Sequence, residues 1–271
     1  MNRYALITGA AGGIGFELAQ VAASKGYDLF LIDIDGKNLQ TAKNKILDSF
    51  SCSIEVMELD LAQHDAAKSI ISLVEAKALN IELLINNAGF GNFGLFTQSS
   101  FEKDIAMLQV HVMTSTTLMK YFLKKMVILK RGYVLNVASI AAFLPGPLMS
   151  TYHASKAYLL NLSQALANEV KEDGVYVGVL CPGMTRTNFA KTNGNSDPAI
   201  KFNFLEPSMV ADYGFKQLMK GKVVIIPGIW NKISSFLPRL LPGKTATQMV
   251  GNIQRKNHVK RKDHMVLRNN N

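Results

Sequence analysis

Thr8-Gly9-Ala10-Ala11-Gly12-Gly13-Ile14-Gly15 stands between a short apolar run, Tyr4-Ala5-Leu6-Ile7-Thr8, and the first helix-like segment, residues 14–25. At such a strand-to-helix junction a glycine-rich turn lets the backbone come close to a dinucleotide pyrophosphate. The helix amino terminus then turns free N–H groups and a positive dipole end toward the phosphates. The spacing Gly-x3-Gly-x-Gly departs from the commoner Gly-x-Gly-x2-Gly, and such a turn can also be no more than tight chain reversal. The residues around it decide between these readings.

Working outward, apolar runs alternate with helix-like segments over 27–33, 36–50, 54–59, 65–79, 81–86, 101–129, 132–138, 152–172 and 174–180. The strand-like runs, such as Leu29-Phe30-Leu31-Ile32 and Leu83-Leu84-Ile85, are apolar throughout rather than alternating. Strands covered by helices on both faces read this way, so the pattern predicts an α/β fold, a doubly wound parallel sheet of about seven strands. A helix and a last strand, Val223-Val224-Ile225-Ile226, follow over 208–226. No internal repeat or linker interrupts residues 1–185, which predicts one Rossmann-type domain over 1–228, with 186–207 as a substrate loop and 229–271 as a basic amphipathic extension.

Asp33 closes the second strand, where a carboxylate can accept hydrogen bonds from the adenosine ribose and repel a 2′-phosphate. No Arg or Lys occupies 10–12 or 34–36, so NAD is expected in preference to NADP. The competing reading makes Asp33-Ile34-Asp35-Gly36 a solvated turn.

Composition narrows the class. Hydrophobic residues make up 48% of the 271 and charged residues 18%, which suits a folded core rather than a disordered chain. The only cysteines, Cys52 and Cys181, make neither a disulfide framework nor a metal motif, and no metal site is expected. The net charge of +10 is unevenly placed: residues 216–271 hold 12 basic side chains against Asp263, a balance of +11, and residues 1–215 are near neutral at −1. No recognition motif accompanies that charge, so nucleic acid is the least favoured partner. The chain opens too briefly on apolar residues for a signal peptide and holds no spanning-length apolar run, which predicts a cytoplasmic protein.

Further stretches, in order, resemble the short-chain dehydrogenase/reductase family of the Tyr-x3-Lys type: Asp60-Leu61, Asn86-Asn87-Ala88-Gly89, Ser139, Tyr152-His153-Ala154-Ser155-Lys156 and Pro182-Gly183-Met184-Thr185-Arg186-Thr187. The likeness spans roughly residues 3–228. It implies an NAD(P)-dependent oxidoreductase moving hydride between nicotinamide and an alcohol or ketone. By this likeness Gly9, Ala11, Gly12, Gly13, Ile14, Gly15, Asp33, Asp60, Leu61, Asn87, Ala88, Gly89, Pro182, Gly183, Thr185 and Thr187 would contact the cofactor. Tyr152 and Lys156 would do so too, with Lys156 on the nicotinamide ribose.

The chemistry also fits the spacing. Tyr152 and Lys156 lie four apart on one helix face, where an ammonium favours the phenolate and should lower the tyrosine's pKa toward acid/base use. Ser139 would hydrogen-bond the substrate oxygen. Singly, each has an ordinary reading as a helix tyrosine, a solvated lysine or a turn serine; together they specify a site.

One position departs from the family pattern: His111 stands where an asparagine usually kinks the helix and holds a relay water. An imidazole can take up that relay, or can replace the asparagine only structurally. This departure keeps a second function open, an NAD-binding sensor or scaffold with weak or no turnover.

Ala141, Phe143, Leu144 and Pro145, with Phe189, Phe202, Phe204 and Leu205 of the 186–207 loop, predict a hydrophobic substrate pocket. For the apolar and basic stretch from Trp230 to Leu241, packing in a homo-oligomer is the first expectation and peripheral contact with an anionic membrane the second.

Overall fold

Alternate residues of the inner strands serve opposite faces of the sheet, and this explains why the runs are apolar throughout. Leu6, Phe30, Leu84 and Val134 pack on one face with Ile70, Phe122 and Leu160, while Ala5, Ile7, Leu29, Leu31, Leu83 and Ile85 pack on the other with Leu18 and Phe215. Truncating one such leucine to alanine costs about 2–5 kcal/mol. The computed structural model describes residues 2–187, 204–237 and 242–255.

The strands are β1 (Tyr4–Thr8), β2 (Asp28–Asp33), β3 (Ile54–Glu58), β4 (Ile81–Asn86), β5 (Gly132–Val137), β6 (Val175–Leu180) and β7 (Val224–Ile225). They form one parallel sheet in the order β3-β2-β1-β4-β5-β6-β7. The order reverses between β1 and β4, so the loops leaving them diverge and open a crevice at the carboxyl ends of the strands.

The helices are α1 (Gly13–Ser24), α2 (Gly36–Leu47), α3 (Ala66–Ala76), α4 (Phe101–Leu108), α5 (Ser115–Ile128), α6 (Ser150–Glu169), α7 (Pro207–Met219), α8 (Ile229–Phe236) and α9 over 243–255. Local sequence sets several of their starts. Asp35 accepts from the Asn38 N–H to cap α2, Ser100 does the same for Lys103 in α4, and Pro207 opens α7, where its missing N–H costs nothing.

One boundary differs from the sequence reading. The expected helix over 101–129 is split by a π-helical segment, Gln109–Thr114. Polar side chains hold that bulge: the Ser115 hydroxyl donates to Val110 O five residues back, and the Thr114 hydroxyl donates to Leu61 O. Ser139 is not part of β5 but caps a 3-10 turn, Ile140–Phe143, its Oγ accepting from Ala141 N at 3.1 Å. The expected loop residues Phe189, Phe202 and Asn193–Pro198, together with Leu240, Leu241 and the basic tail from 256 onward, lie outside the described residues.

Candidate active site

The floor of the crevice is fastened by side chains at the ends of β1 and β4. Asn87 Nδ2 donates to Thr8 O at 3.0 Å and to Gly9 O at 2.9 Å, and the Thr8 hydroxyl accepts from the N–H groups of Asn87 and Ala88. This close joint explains two glycines. Gly9 has φ +67°, and a Cβ on Gly15 would lie 2.0 Å from Gly9 O and 2.4 Å from Asn87 Nδ2.

Helix α1 starts at Gly13 with no side chain capping its first turn, so its N–H groups face the crevice. Thr187 reaches over the same point, with its methyl 3.1 Å from where a Gly13 Cβ would sit. An uncapped helix start over a floor where a Cβ on Gly9 or Gly15 would collide with backbone suits a dinucleotide's phosphates. Asp33 adds a fixed negative charge at the end of β2, its carboxylate accepting from Ala11 N at 2.9 Å and Asp35 N at 3.0 Å.

The remaining sequence-identified positions also gather at the carboxyl ends of the strands. Asp60 folds into a turn by accepting from Ala62 N, while Leu61 is buried in the core, so only its backbone remains for a ligand. Pro182 O accepts from Ile140 N, which ties the loop after β6 to the Ser139 turn. Gly183 packs against the Asn231 side chain, and Thr185 donates to Gly183 O.

Helix α6 presents Tyr152 and Lys156 together, both buried. The Ser139 hydroxyl neighbours the Tyr152 phenol and favours its ionised form, Lys156 Nζ lies 5.8 Å from the tyrosine ring centroid, and the ammonium donates to Val137 O at 2.9 Å. The expected acidification of the phenol is not what these surroundings produce. Burial pushes Tyr152 up to about 12, with only the Ser139 hydroxyl opposing it, and pulls Lys156 down to about 8. Loss of solvent decides the direction for both groups because both sit away from water.

His111 is fully engaged by the protein. The Ser155 hydroxyl donates to Tyr152 O at 2.8 Å, so it receives the His111 Nδ1–H at 2.9 Å, and Phe90 N–H donates to Nε2 at 3.2 Å. These partners fix the neutral Nδ1–H tautomer. Burial, and then the Lys156 charge, hold its pKa well below 6.5. Both nitrogens are taken, so the relay reading of His111 gives way to the structural one: the ring clamps the chain after β4 to α6 beside Lys156. His153 does the same for the loop after Ser139, its Nδ1 on Leu144 O at 2.8 Å.

The apolar wall also differs from expectation. Ala141 does pack beside Tyr152, but Phe143 lies half-buried against the edge of the main core, and the side chains around the tyrosine are Phe93, Met107, Leu148, Met149 and Phe90. Leu148-Met149 directly precede α6, which was the available signal. Phe93 and Met107 come from a loop and a helix whose approach no local pattern reveals. A separate cleft of about 440 Å³, lined by Arg3, Tyr27, Glu82 and Arg131 among others, lies at the opposite, amino-terminal ends of the strands, away from this chemistry.

Comparison with known proteins agrees with the geometry. The short chain dehydrogenase family matches residues 3–198. The chain belongs to this family. Short-chain dehydrogenases are oxidoreductases that use NAD(P) on a Rossmann fold. Among similar proteins is a very-long-chain 3-oxoacyl-CoA reductase of Pyrenophora tritici-repentis, 33% identical over 71% of this chain, of which the match spans 58%. A 7beta-hydroxysteroid dehydrogenase of Collinsella aerofaciens is 27% identical over 86% of this chain and 89% of its own length. Among solved structures, a short-chain dehydrogenase from Sphingobium yanoikuyae in complex with NADPH superposes with a TM-score of 0.78 at 28% identity, over 88% of this chain and 94% of that one.

Proposed function

We propose that this short-chain dehydrogenase is NAD-dependent and interconverts an apolar secondary alcohol and its ketone, with Tyr152 as the proton donor and acceptor. The observation that carries the reading is Tyr152 buried in an apolar cluster, with Ser139 beside its hydroxyl and the Lys156 ammonium 5.8 Å from its ring. A bound nicotinamide supplies or accepts the hydride.

The chain's own groups handle the oxygen. Ser139 and Tyr152 point two hydroxyls at one place, where a carbonyl oxygen accepts from both. As the carbon is reduced, charge growing on that oxygen is stabilised by Ser139 and neutralised by the Tyr152 proton. A phenol held near 12 remains protonated at neutral pH, which suits it to donate in ketone reduction. Lys156, anchored on Val137 O, keeps a positive charge next to the phenolate that this leaves. Phe93, Met107, Leu148 and Met149 exclude water from the exchange and set an apolar preference. The relatives named for 3-oxoacyl and hydroxysteroid substrates support that preference.

Asp33 supports NAD. Its carboxylate is fixed by two backbone N–H groups where a 2′-phosphate would approach, and no Arg or Lys lies at 10–12 or 34–36 to compensate. Calorimetric titration with NADH and NADPH tests this. NADH should bind at least about 10-fold tighter, and Asp33→Ala should narrow the difference, since one uncompensated charge contact is worth about 1.4 kcal/mol or more. Tighter NADPH binding by the wild type would overturn the assignment.

A further inference from the structure

Helix α8 faces the opposite way from an ordinary surface helix. Asn231 and Ser235 are its buried residues, at 4% and 3% exposure, while Ile229, Trp230, Ile233 and Phe236 are 63%, 56%, 46% and 60% exposed. Leu237 extends the same stripe at 57%. At 3.6 residues per turn these five fall within about 120° of arc, the width that normally faces a core. The inward polar side is held in place: Asn231 Nδ2 donates to Pro227 O at 2.7 Å, and its side chain packs on Gly183.

Helix α9 continues the arrangement. Ala246 and Gly251 are buried, Gly251 against Pro147, and Gln254 reaches the Met149 sulfur, while Met249 and Ile253 remain exposed four residues apart. An exposed apolar stripe of this width needs an occupant.

Charge identifies it. Residues 216–271 carry 12 basic side chains and one acidic, and Lys232 and Lys244 belong to this part of the chain. The acidic residues of 204–215, Glu206 and Asp212, are already paired with Arg186 and Lys216. A second copy would suit the apolar stripe but not the charge, because a two-fold contact sets each patch near itself and brings two strongly basic segments together. An anionic surface suits both features. No helix among the described residues is long and apolar enough to cross a membrane, so the contact is peripheral.

We propose that α8 and α9 form a docking face for an anionic lipid bilayer, with Trp230, Ile233, Phe236 and Leu237 entering between headgroups and Lys232, Lys244 and Arg255 meeting their phosphates. Since Asn231 rests on Gly183 and Gln254 on Met149, docking holds the rim of the active site against the lipid. The docking stands apart from the redox assignment, because its readout is binding.

Trp230 is the only tryptophan of the 271 residues and lies on the proposed face, so the chain carries its own reporter. The probe is vesicles of phosphatidylcholine, with or without about one third phosphatidylglycerol, read by tryptophan emission and by flotation. Anionic vesicles should shift emission to the blue and carry the protein upward, high salt should reverse both, and neutral vesicles should bind at least about 10-fold more weakly. Ile233→Asp with Phe236→Asp should abolish flotation. If that variant fails to fold, Lys232→Glu with Lys244→Glu should weaken binding at least about 10-fold. The proposal is overturned if no vesicle binds or if folded variants of both kinds bind like the wild type. It is also overturned if sedimentation shows instead a dimer that Ile233→Asp with Phe236→Asp dissolves.

Discussion

Replacing His111 by leucine should destabilise the protein at neutral pH and progressively less as the pH falls. At pH 7.5 the variant keeps the ring's approximate volume but deprives Phe90 N–H of its acceptor and removes the donor to Ser155. Leaving one such group unsatisfied costs about 1–3 kcal/mol, which for a chain of this size lowers Tm by roughly 4–8 °C at the middle of that range. Acid then acts on the wild type alone. Burial and the Lys156 charge lower the folded-state pKa of His111 below its unfolded value, so between those two values the unfolded chain binds a proton that the folded chain does not. The histidine's contribution is therefore present above about 6.5 and falls by up to about 1.4 kcal/mol for each pH unit below it. The two melting curves should therefore draw together on acidification. His153, also lowered by burial, affects both proteins alike. Scanning calorimetry of both at pH 7.5 and 5.0 measures the gap. A gap that stays constant or widens on acidification would show that His111 is charged in the fold and would refute the neutral clamp.

Two further outcomes follow from the site. Gly15→Ala places a methyl 2.0 Å from Gly9 O and should cost about 1–3 kcal/mol with a matching loss of NADH affinity, whereas Gly12→Ala, with nothing within 4 Å, should leave Tm unchanged; thermal melts and NADH titration of both distinguish them. In the pH profile, ketone reduction should hold steady at neutral pH and fall above about 8 as Lys156 loses its charge, while alcohol oxidation should climb toward the Tyr152 value of about 12; initial rates in both directions across pH 6–10 check this, and parallel profiles would contradict it.

The sheet was legible because its determinants are local: Leu29 to Ile32 and Leu83 to Ile85 can be apolar throughout only between two helical layers, and Gly9 to Gly15 mark the turn that opens the crevice. The clustering of Ser139, Tyr152 and Lys156 was legible for the related reason that each falls just past a strand or on one helix face. What sequence missed depends on tertiary approach. The π-helical bulge requires Ser115 and Thr114 to find Val110 and Leu61, and the neutrality of His111 requires Phe90 and Ser155 to arrive at its two nitrogens. The Tyr152–Lys156 spacing suggested a lowered phenol pKa, yet burial, which spacing cannot report, decides the sign. Phe143 looked like a pocket residue from its position and packs half-buried against the main core instead. The polar inner face of α8 likewise became visible only once Asn231 was seen against Gly183.

The most direct test of the account is turnover by the wild type and by Tyr152→Phe with NADH and a panel of steroid, acyl and aryl ketones, followed by loss of NADH absorbance. The account predicts that the wild type reduces at least one of them, and that removing the phenol lowers kcat about 10²–10⁴-fold with NADH affinity unchanged. Undiminished turnover by Tyr152→Phe would contradict the assignment of the proton donor, and NADH binding without turnover of any ketone by the wild type would mark the protein as a sensor.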